Sequence, residues 1–189
     1  MPRGEAEALA RELRLGEHHT ASLILLGRPE PTWIEAARGD RELPEATTDS
    51  GTLLWPVPKG RRGRGFGRVR RRALRHINHD GVDIPAPMGA PVRAADDGLV
   101  VYADNGVRGY GNLVLIVHPD GSATVYAHLR ASYVFAGQRV GRGQHVGEVG
   151  STGLSYAPHL HFEWHERGRA RNPARRFVDA PPPGSGRRG

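Results

Sequence analysis

The fold of this 189-residue chain is most constrained by the segment PHLHFE, residues 158–163. In a β-strand, side chains alternate between two faces, so residues two apart lie about 6.5–7 Å apart on one face. A strand here places His159 and His161 together and turns Leu160 and Phe162 towards a core. The two imidazoles could bind one metal ion, or one could bind it while the other acts on a ligand. Taken alone, they also fit two solvent-facing histidines.

The rest of the chain favours short strands over helices. It contains 26 glycines and 15 prolines, which is too many for a helix bundle and typical of strands joined by turns. Asp120-Gly121, between NLVLIVH and SATVYAHL, predicts a β-hairpin. Residues 51–58 (GTLLWPVP) predict an initial strand. We therefore expect a mainly β fold with an antiparallel sheet core.

The sequence divides into three parts. Residues 1–52 predict a helical extension and linker, with an amphipathic helix over 5–15 and polar residues over 38–52. Residues 53–178 form the expected β domain, and residues 179–189 a flexible tail rich in Pro, Gly and Arg. No signal peptide is visible, and no apolar run approaches the ~20 residues of a membrane span.

A metal site in this chain must use His, Asp or Glu, because there is no cysteine. The segment HDGVD, residues 79–83, contains a glycine and precedes a proline-rich stretch, so it predicts a turn leading into a strand rather than a helix. His79, Asp83 and one histidine of the HLH pair would give three ligands. Three protein ligands plus water are typical of a catalytic zinc site. The other HLH histidine and His128 are then available as a general base and an oxyanion donor.

Three motifs, in this order, resemble the lysostaphin/LytM-type zinc metallopeptidases: HxGVD at 79–83, YAHL at 126–129 and GSTGxSxxPHLHFE at 150–163. The resemblance extends from about Trp55 to Phe177. It implies an antiparallel β core of the lysostaphin type, a duplicated hybrid motif, with the site in a groove walled by loops. It also implies a zinc-dependent endopeptidase that hydrolyses peptide cross-links of peptidoglycan by a metal-activated water, with one Zn²⁺ per chain.

The resemblance assigns roles residue by residue. The zinc ligands it implies are His79, Asp83 and His161. The catalytic pair it implies, for water activation and transition-state stabilisation, is His128 and His159. We expect substrate contacts from Tyr156, Asn112 and His76.

Four residues near these motifs carry weaker expectations. Glu163 follows His161 by two, so it shares the site face and is expected to orient a ligand. His118, His145 and His165 flank strands without a matching partner, and we expect them at the surface.

The charge of the chain suggests an anionic partner. The net charge is +7, and nine basic residues lie between Lys59 and Arg75. Only Phe66 is available there for stacking, so we expect no nucleic-acid partner. The expected partners are peptidoglycan stem peptides and anionic wall polymers, which implies an extracytoplasmic location: the periplasm, the cell envelope or secretion.

Several alternatives stay open from the sequence. The chain could be a non-catalytic wall-binding activator of other hydrolases, although all five motif residues are intact. A basic nucleic-acid-binding protein and a 2-His-1-carboxylate iron oxygenase fit less well. Among substrates, we favour a D-Ala–diaminopimelate cross-link over a glycine bridge, because a tyrosine typical of the glycyl-cleaving branch is missing.

Overall fold

The computed structural model describes residues 51–68 and 78–181, and it confirms a mainly β, antiparallel fold. The strands are β1 (Gly67–Arg68), β2 (Asn78–His79), β3 (Val82–Pro85), β4 (Pro91–Arg93), β5 (Gly98–Asp104), β6 (Asn112–Val117), β7 (Ala123–Ser132), β8 (Arg139–Val140), β9 (His145–Val149), β10 (His159–Glu166) and β11 (Arg169–Arg171). A 3-10 turn follows at Pro173–Arg175. The expected helix over 5–15 lies outside the described residues. Within the described ranges, no helix is long and apolar enough to cross a membrane.

Strand β10 is the junction of a nine-stranded sheet in the part of the chain that the structure describes. The sheet runs β11-β10-β7-β6-β5-β8, while β3 pairs with β10 and β9 pairs with both β4 and β7. One edge of β10 pairs with β7, and the other pairs with β3 and then β11. In this register His161 lies opposite Asp83 on one side and Ala127 on the other. Three sequence motifs therefore meet on adjacent strands.

The alternation predicted for β10 is confirmed. Leu160 and Phe162 are fully buried in the main core, and Phe162 packs edge-on against Tyr126 with ring centroids 5.4 Å apart. Val82 and Ile84 of β3 are buried in the same core. Each fully buried side chain of this size contributes about 1.5–3 kcal/mol. This apolar face fixes the orientation of β3 and β10, so that their polar residues share the opposite face.

The predicted hairpin joins β6 and β7. Gly121 has a φ of +79°, and the backbone N–H of Ser122 donates to the Asp120 carboxylate at 2.8 Å. Glycine is required here because this left-handed conformation strains a residue with a Cβ.

The initial strand expected over 51–58 is wrong. The structure has there only a single parallel bridge, between Leu53 and Phe177. Pro56 and Pro58 lack the N–H that a longer ladder needs. Trp55 is nonetheless buried, and its backbone N–H donates to Asp179, so this segment is held by packing and by the C-terminal part of the domain.

Candidate metal and catalytic site

The turn between β2 and β3 brings His79 and Asp83 against β10. A Cβ at Gly81 would lie 2.3 Å from the Phe162 carbonyl oxygen and 3.0 Å from the His161 ring, so only glycine permits this approach. Asp83 lies directly across the ladder from His161. The glycine of the HDGVD motif therefore has a steric function: it lets the turn close onto the strand that carries the second histidine.

Three side-chain atoms converge at this place: His79 Nε2, Asp83 Oδ1 and His161 Nδ1. His79 Nε2 lies 3.0 Å from Asp83 Oδ1 and 3.2 Å from His161 Nδ1. The distance between Asp83 Oδ1 and His161 Nδ1 is 3.1 Å. Ligands about 2.0–2.2 Å from a tetrahedral zinc are roughly 3.3–3.6 Å from one another. The triangle is therefore close to the size that one such ion requires.

The outer hydrogen bonds of the two histidines show which atoms carry protons. His79 Nδ1 lies 2.8 Å from the Gly65 carbonyl, and His161 Nε2 lies 2.8 Å from the Glu163 carboxylate. Both oxygens only accept, so these outer nitrogens carry N–H groups. In the neutral imidazoles, the inner nitrogens then present lone pairs to one another and to Asp83. Three converging lone pairs fit a cation, and these residues suit zinc because it takes His and Asp ligands.

The electrostatics of the cluster also favour a cation. Burial raises the pKa of Asp83, but hydrogen bonds and charges from His161 and His79 outweigh this effect and hold that pKa well below its usual range. Burial lowers the pKa of His161, but hydrogen bonds to Asp83 and Glu163 and the charges of those carboxylates outweigh it and raise the pKa to about 9. Protons on the inner nitrogens, which hydrogen-bond to Asp83, and a bound cation, which would take the lone pairs instead, are alternative ways to supply the positive charge that this pocket stabilises.

His128 reaches the same place from an irregularity in β7. The β6–β7 register shifts beside it, and its backbone has a φ of +62°, a conformation uncommon outside glycine. The backbone N–H of His128 donates to the Tyr110 carbonyl, and the ring Nδ1–H donates to the Thr152 carbonyl, each at 2.8 Å. Burial and the neighbouring charges of His159 and His161 lower the pKa of His128 to about 4. Its Nε2 is therefore an unprotonated acceptor at neutral pH.

His159 is held in a similar way from the first residue of β10. Its Nδ1 lies 2.8 Å from the Ala157 carbonyl oxygen, so the ring Nδ1–H donates to the backbone. Its Nε2 lies 3.6 Å from Asp83 Oδ1, and its ring centroid is 4.9 Å from that of His128. The structure thus brings all five motif residues together, with the four imidazoles fixed by outer hydrogen bonds.

Behind His161, Glu163 is the centre of a buried hydrogen-bond network. Its Oε1 accepts from His161 and from the Tyr110 hydroxyl at 2.9 Å, and its Oε2 accepts from His165 Nε2 at 2.6 Å. Burial raises the pKa of Glu163, but the hydrogen bonds from His161 and His165 outweigh it and hold the pKa well below its usual range. Glu163 therefore contacts His161, as expected.

The surface position expected for His165 and His118 is wrong, since both are buried. His165 shares the polar face of β10 with His161 and Glu163, and this alternation was a usable signal in the sequence. His118 lies 2.7 Å from the Asp97 carbonyl oxygen and 2.8 Å from the Thr124 hydroxyl. Its partner Asp97 is 21 residues away, so no local pattern indicates the contact. His145 is exposed, as expected.

The residues expected to contact substrate have different surroundings. Tyr156 is 97% exposed, on the loop that precedes β10. The Asn112 side-chain amide donates to the carbonyl oxygens of Leu129 and Arg130, so it supports the irregular end of β7. His76 lies outside the described residues.

A sequence model of peptidase family M23 matches residues 77–173. Among curated proteins, the cell division protein DipM of Caulobacter vibrioides is 41% identical over 132 residues, or 70% of this chain. The DD-carboxypeptidase/endopeptidase Mpg of Neisseria meningitidis is 46% identical over 95 residues, and the murein hydrolase activator NlpD of Salmonella dublin is 44% identical over 95; each match covers 50% of this chain. The matches cover 21%, 22% and 25% of these relatives, so the chain spans only a quarter or less of their length.

Solved structures share the fold. A zinc-containing peptidase from Vibrio cholerae superposes with a TM-score of 0.61 at 34% identity, covering 69% of this chain and 41% of that one. The catalytic domain of lysostaphin from Staphylococcus simulans superposes with a TM-score of 0.54 at 33% identity, covering 61% of this chain and 90% of that one. The described domain therefore has a lysostaphin-like fold.

Proposed function

Because the chain belongs to peptidase family M23, we propose that it is a zinc-dependent endopeptidase that hydrolyses peptide cross-links of bacterial peptidoglycan. One observation carries the proposal. The inner atoms of His79, Asp83 and His161 converge as three possible metal-ligand atoms, and the rings of His128 and His159 lie beside them. Three ligands with two more histidines beside them are suited to metal-assisted hydrolysis.

In this proposal, His79, Asp83 and His161 hold one Zn²⁺ per chain. Zinc supplies Lewis acidity when it is bound: it lowers the pKa of a water towards ~7 and polarises a carbonyl. Glu163 keeps the proton of His161 on Nε2, so that Nδ1 keeps its lone pair for the ligand position.

The catalytic pair then moves and stabilises charge. His128 Nε2 accepts a proton from the attacking water, because its Nδ1–H is already donated to Thr152. His159 is anchored in the same way to Ala157, and its Nε2 stabilises the developing oxyanion when it is protonated. The strained backbone of His128 fits a functional position, since such strain persists where the surrounding structure fixes it.

The proposed location is extracytoplasmic, where the substrate lies. The expected partners are stem peptides and anionic wall polymers, and the chain's net charge of +7 suits both. We favour a D-Ala–diaminopimelate cross-link as the bond cleaved. The expected substrate contacts of Tyr156 and Asn112 belong to this proposal, as does His76.

The test is digestion of purified peptidoglycan by the zinc-loaded protein, followed by mass spectrometry of the released muropeptides. We expect new stem-peptide ends that disappear when zinc is chelated and when His128 is replaced by alanine. The mass of the new ends identifies the bond. Intact peptidoglycan after incubation with demonstrably zinc-loaded protein would contradict the proposal.

A second candidate is an activator of other wall hydrolases, which the name of the Salmonella relative brings to attention. The same digestion separates the two functions. An activator leaves peptidoglycan intact by itself but raises cleavage by an added wall hydrolase, and this rise persists in the His128→Ala variant.

A further inference from the structure

Arg64 lies beside the candidate metal site, although the peptidase motifs do not include it. Its Nε is 3.1 Å from Asp83 Oδ2, while the other oxygen of that carboxylate belongs to the lone-pair triangle. The Arg64 side chain is 50% exposed, against 14% for Asp83. A guanidinium has five N–H donors in a rigid fork, so one salt bridge leaves further donors directed elsewhere.

The backbone holds Arg64 firmly against the site. The Asp83 N–H donates to the Arg64 carbonyl at 2.8 Å, and the Gly63 N–H donates to the Asp83 carbonyl at 3.0 Å. The next carbonyl, of Gly65, accepts from His79. A Cβ at Gly63 would lie 2.5 Å from a Pro85 side-chain carbon, so glycine allows this close approach to β3.

The charge of Arg64 is not cancelled by Asp83 once the metal position is filled. Two neutral imidazoles, one carboxylate and Zn²⁺ sum to one positive charge, and Arg64 adds another at the exposed edge. A substrate group bound beside this edge is therefore favoured if it is anionic, and a carboxylate matches the guanidinium fork.

We propose that Arg64 is a specificity residue that binds a free carboxylate next to the scissile amide of the substrate. Resting on the proposed function, this inference specifies its substrate class. In a D-Ala–diaminopimelate cross-link, the nitrogen of the scissile amide is attached to a carbon that carries a free carboxylate. The internal residues of a glycine bridge have no such group.

The test uses two synthetic dimers of cross-linked tetrapeptides joined by D-Ala–meso-diaminopimelate. One keeps the carboxylate beside the scissile amide, and in the other that carboxylate is converted to an amide. We expect zinc-loaded protein to cleave the free acid with a kcat/KM about 10-fold higher, the lower end of the effect of a charge-assisted hydrogen bond. Arg64→Gln should bring the ratio close to one, and Arg64→Lys should give an intermediate ratio. Arg61→Gln, an exposed neighbour on the same segment, should keep the wild-type ratio.

A binding measurement separates this inference from the proposed function. Calorimetry in the His128→Ala background compares the two dimers without turnover, with and without Arg64→Gln, and zinc content is measured for every variant. A preference for the free acid that Arg64→Gln removes supports the inference even if the wild type cleaves neither dimer. Equal binding of the two dimers, no binding of the free acid, or a preference that survives Arg64→Gln overturns it. A preference lost together with zinc also overturns it, because Arg64 would then act through Asp83 alone.

Discussion

The candidate site and the region beneath the β6–β7 hairpin both bury a histidine, but the two regions treat its charge in opposite ways. His161 lies between the carboxylates of Asp83 and Glu163, which raise its pKa to about 9 despite burial. The ring of His118 hydrogen-bonds to a backbone carbonyl and to the Thr124 hydroxyl. Burial lowers the pKa of His118, because the nearby carboxylates, such as that of Asp96, act on the ring only through their charge and do not outweigh it.

The difference shows that the partner, more than the depth of burial, decides what a buried histidine can do. Carboxylates around an imidazole create a place that attracts a cation. Carbonyl and hydroxyl partners keep the ring neutral and fix its tautomer. His128 lies in the candidate site, but, like His118, its ring has a carbonyl partner, because its Nδ1–H donates to Thr152. This combination suits a general base beside a metal.

The largest expected effect comes from removing this neutral histidine. His128→Ala should lower the turnover of peptidoglycan cross-links by about 10²- to 10⁴-fold, the usual contribution of a positioned acid or base. Zinc content should stay at the wild-type level, because His128 is outside the lone-pair triangle. Muropeptide release and metal analysis measure the two effects.

Two controls frame this experiment. His79→Ala should lose zinc and activity together, whereas replacement of the exposed His145 should change neither. Loss of zinc from His128→Ala would show that His128 also supports metal binding and does not act on the reaction alone.

The next effect tests the carboxylates. Glu163→Gln keeps an oxygen acceptor for His161 but removes the charge, so zinc should bind about 10- to 100-fold more weakly, as for other outer partners of metal ligands. Competition with a chelating dye measures the affinity. Glu166→Gln is the matched control, because Glu166 is on the same strand and pairs with Arg171 and Arg176 away from the site. Equal zinc affinity in both variants would mean that the charge of Glu163 does not tune the metal position.

Local patterns predicted much of this site because they depend only on strand alternation and turn chemistry. The two faces of β10, the turn-to-strand form of HDGVD and the hairpin at Asp120-Gly121 all follow from neighbours within a few residues. The same alternation runs on to His165, which the prediction left at the surface.

Contacts between distant segments could not be predicted in this way. Tyr110 is 53 residues from Glu163, and Arg64 contacts Asp83 only because a glycine-rich segment lies along β3. The left-handed backbone of His128 likewise depends on a register shift between β6 and β7. Such features follow from how strands pair, which local spacing does not specify.

The neutral His118 beneath the β6–β7 hairpin should make the unfolding free energy fall as the pH is lowered. The unfolded chain takes up a proton on His118 as the pH falls through about 6.5, whereas the buried ring resists it, so the native state loses stability below that pH. One proton changes the unfolding free energy by at most about 1.4 kcal/mol per pH unit. Urea unfolding of zinc-loaded protein measures the unfolding free energy at pH 7.5 and at pH 5.5. We expect this free energy to fall between the two pH values by about 1 kcal/mol less in His118→Gln than in wild type.

The pH dependence of the unfolding free energy, compared between wild type and His118→Gln, decides this prediction. An identical slope in wild type and His118→Gln would contradict it, because His118 would then take up its proton over the same pH range in the folded and the unfolded chain.

The smallest effect is expected at Tyr156, an exposed side chain that we propose contacts substrate, on the loop whose Ala157 carbonyl anchors His159. Tyr156→Ala removes only an exposed ring, so the unfolding free energy should change by less than about 0.5 kcal/mol. The carbonyls of Ala157 and Thr152 still hold His159 and His128, so kcat should stay unchanged. A lost exposed contact of up to about 1 kcal/mol raises KM by no more than about fivefold. Phe135→Ala, at an exposed aromatic on another loop, should leave both constants unchanged. If kcat fell while KM stayed constant, Tyr156 would be needed to shape the loop that anchors His128 and His159.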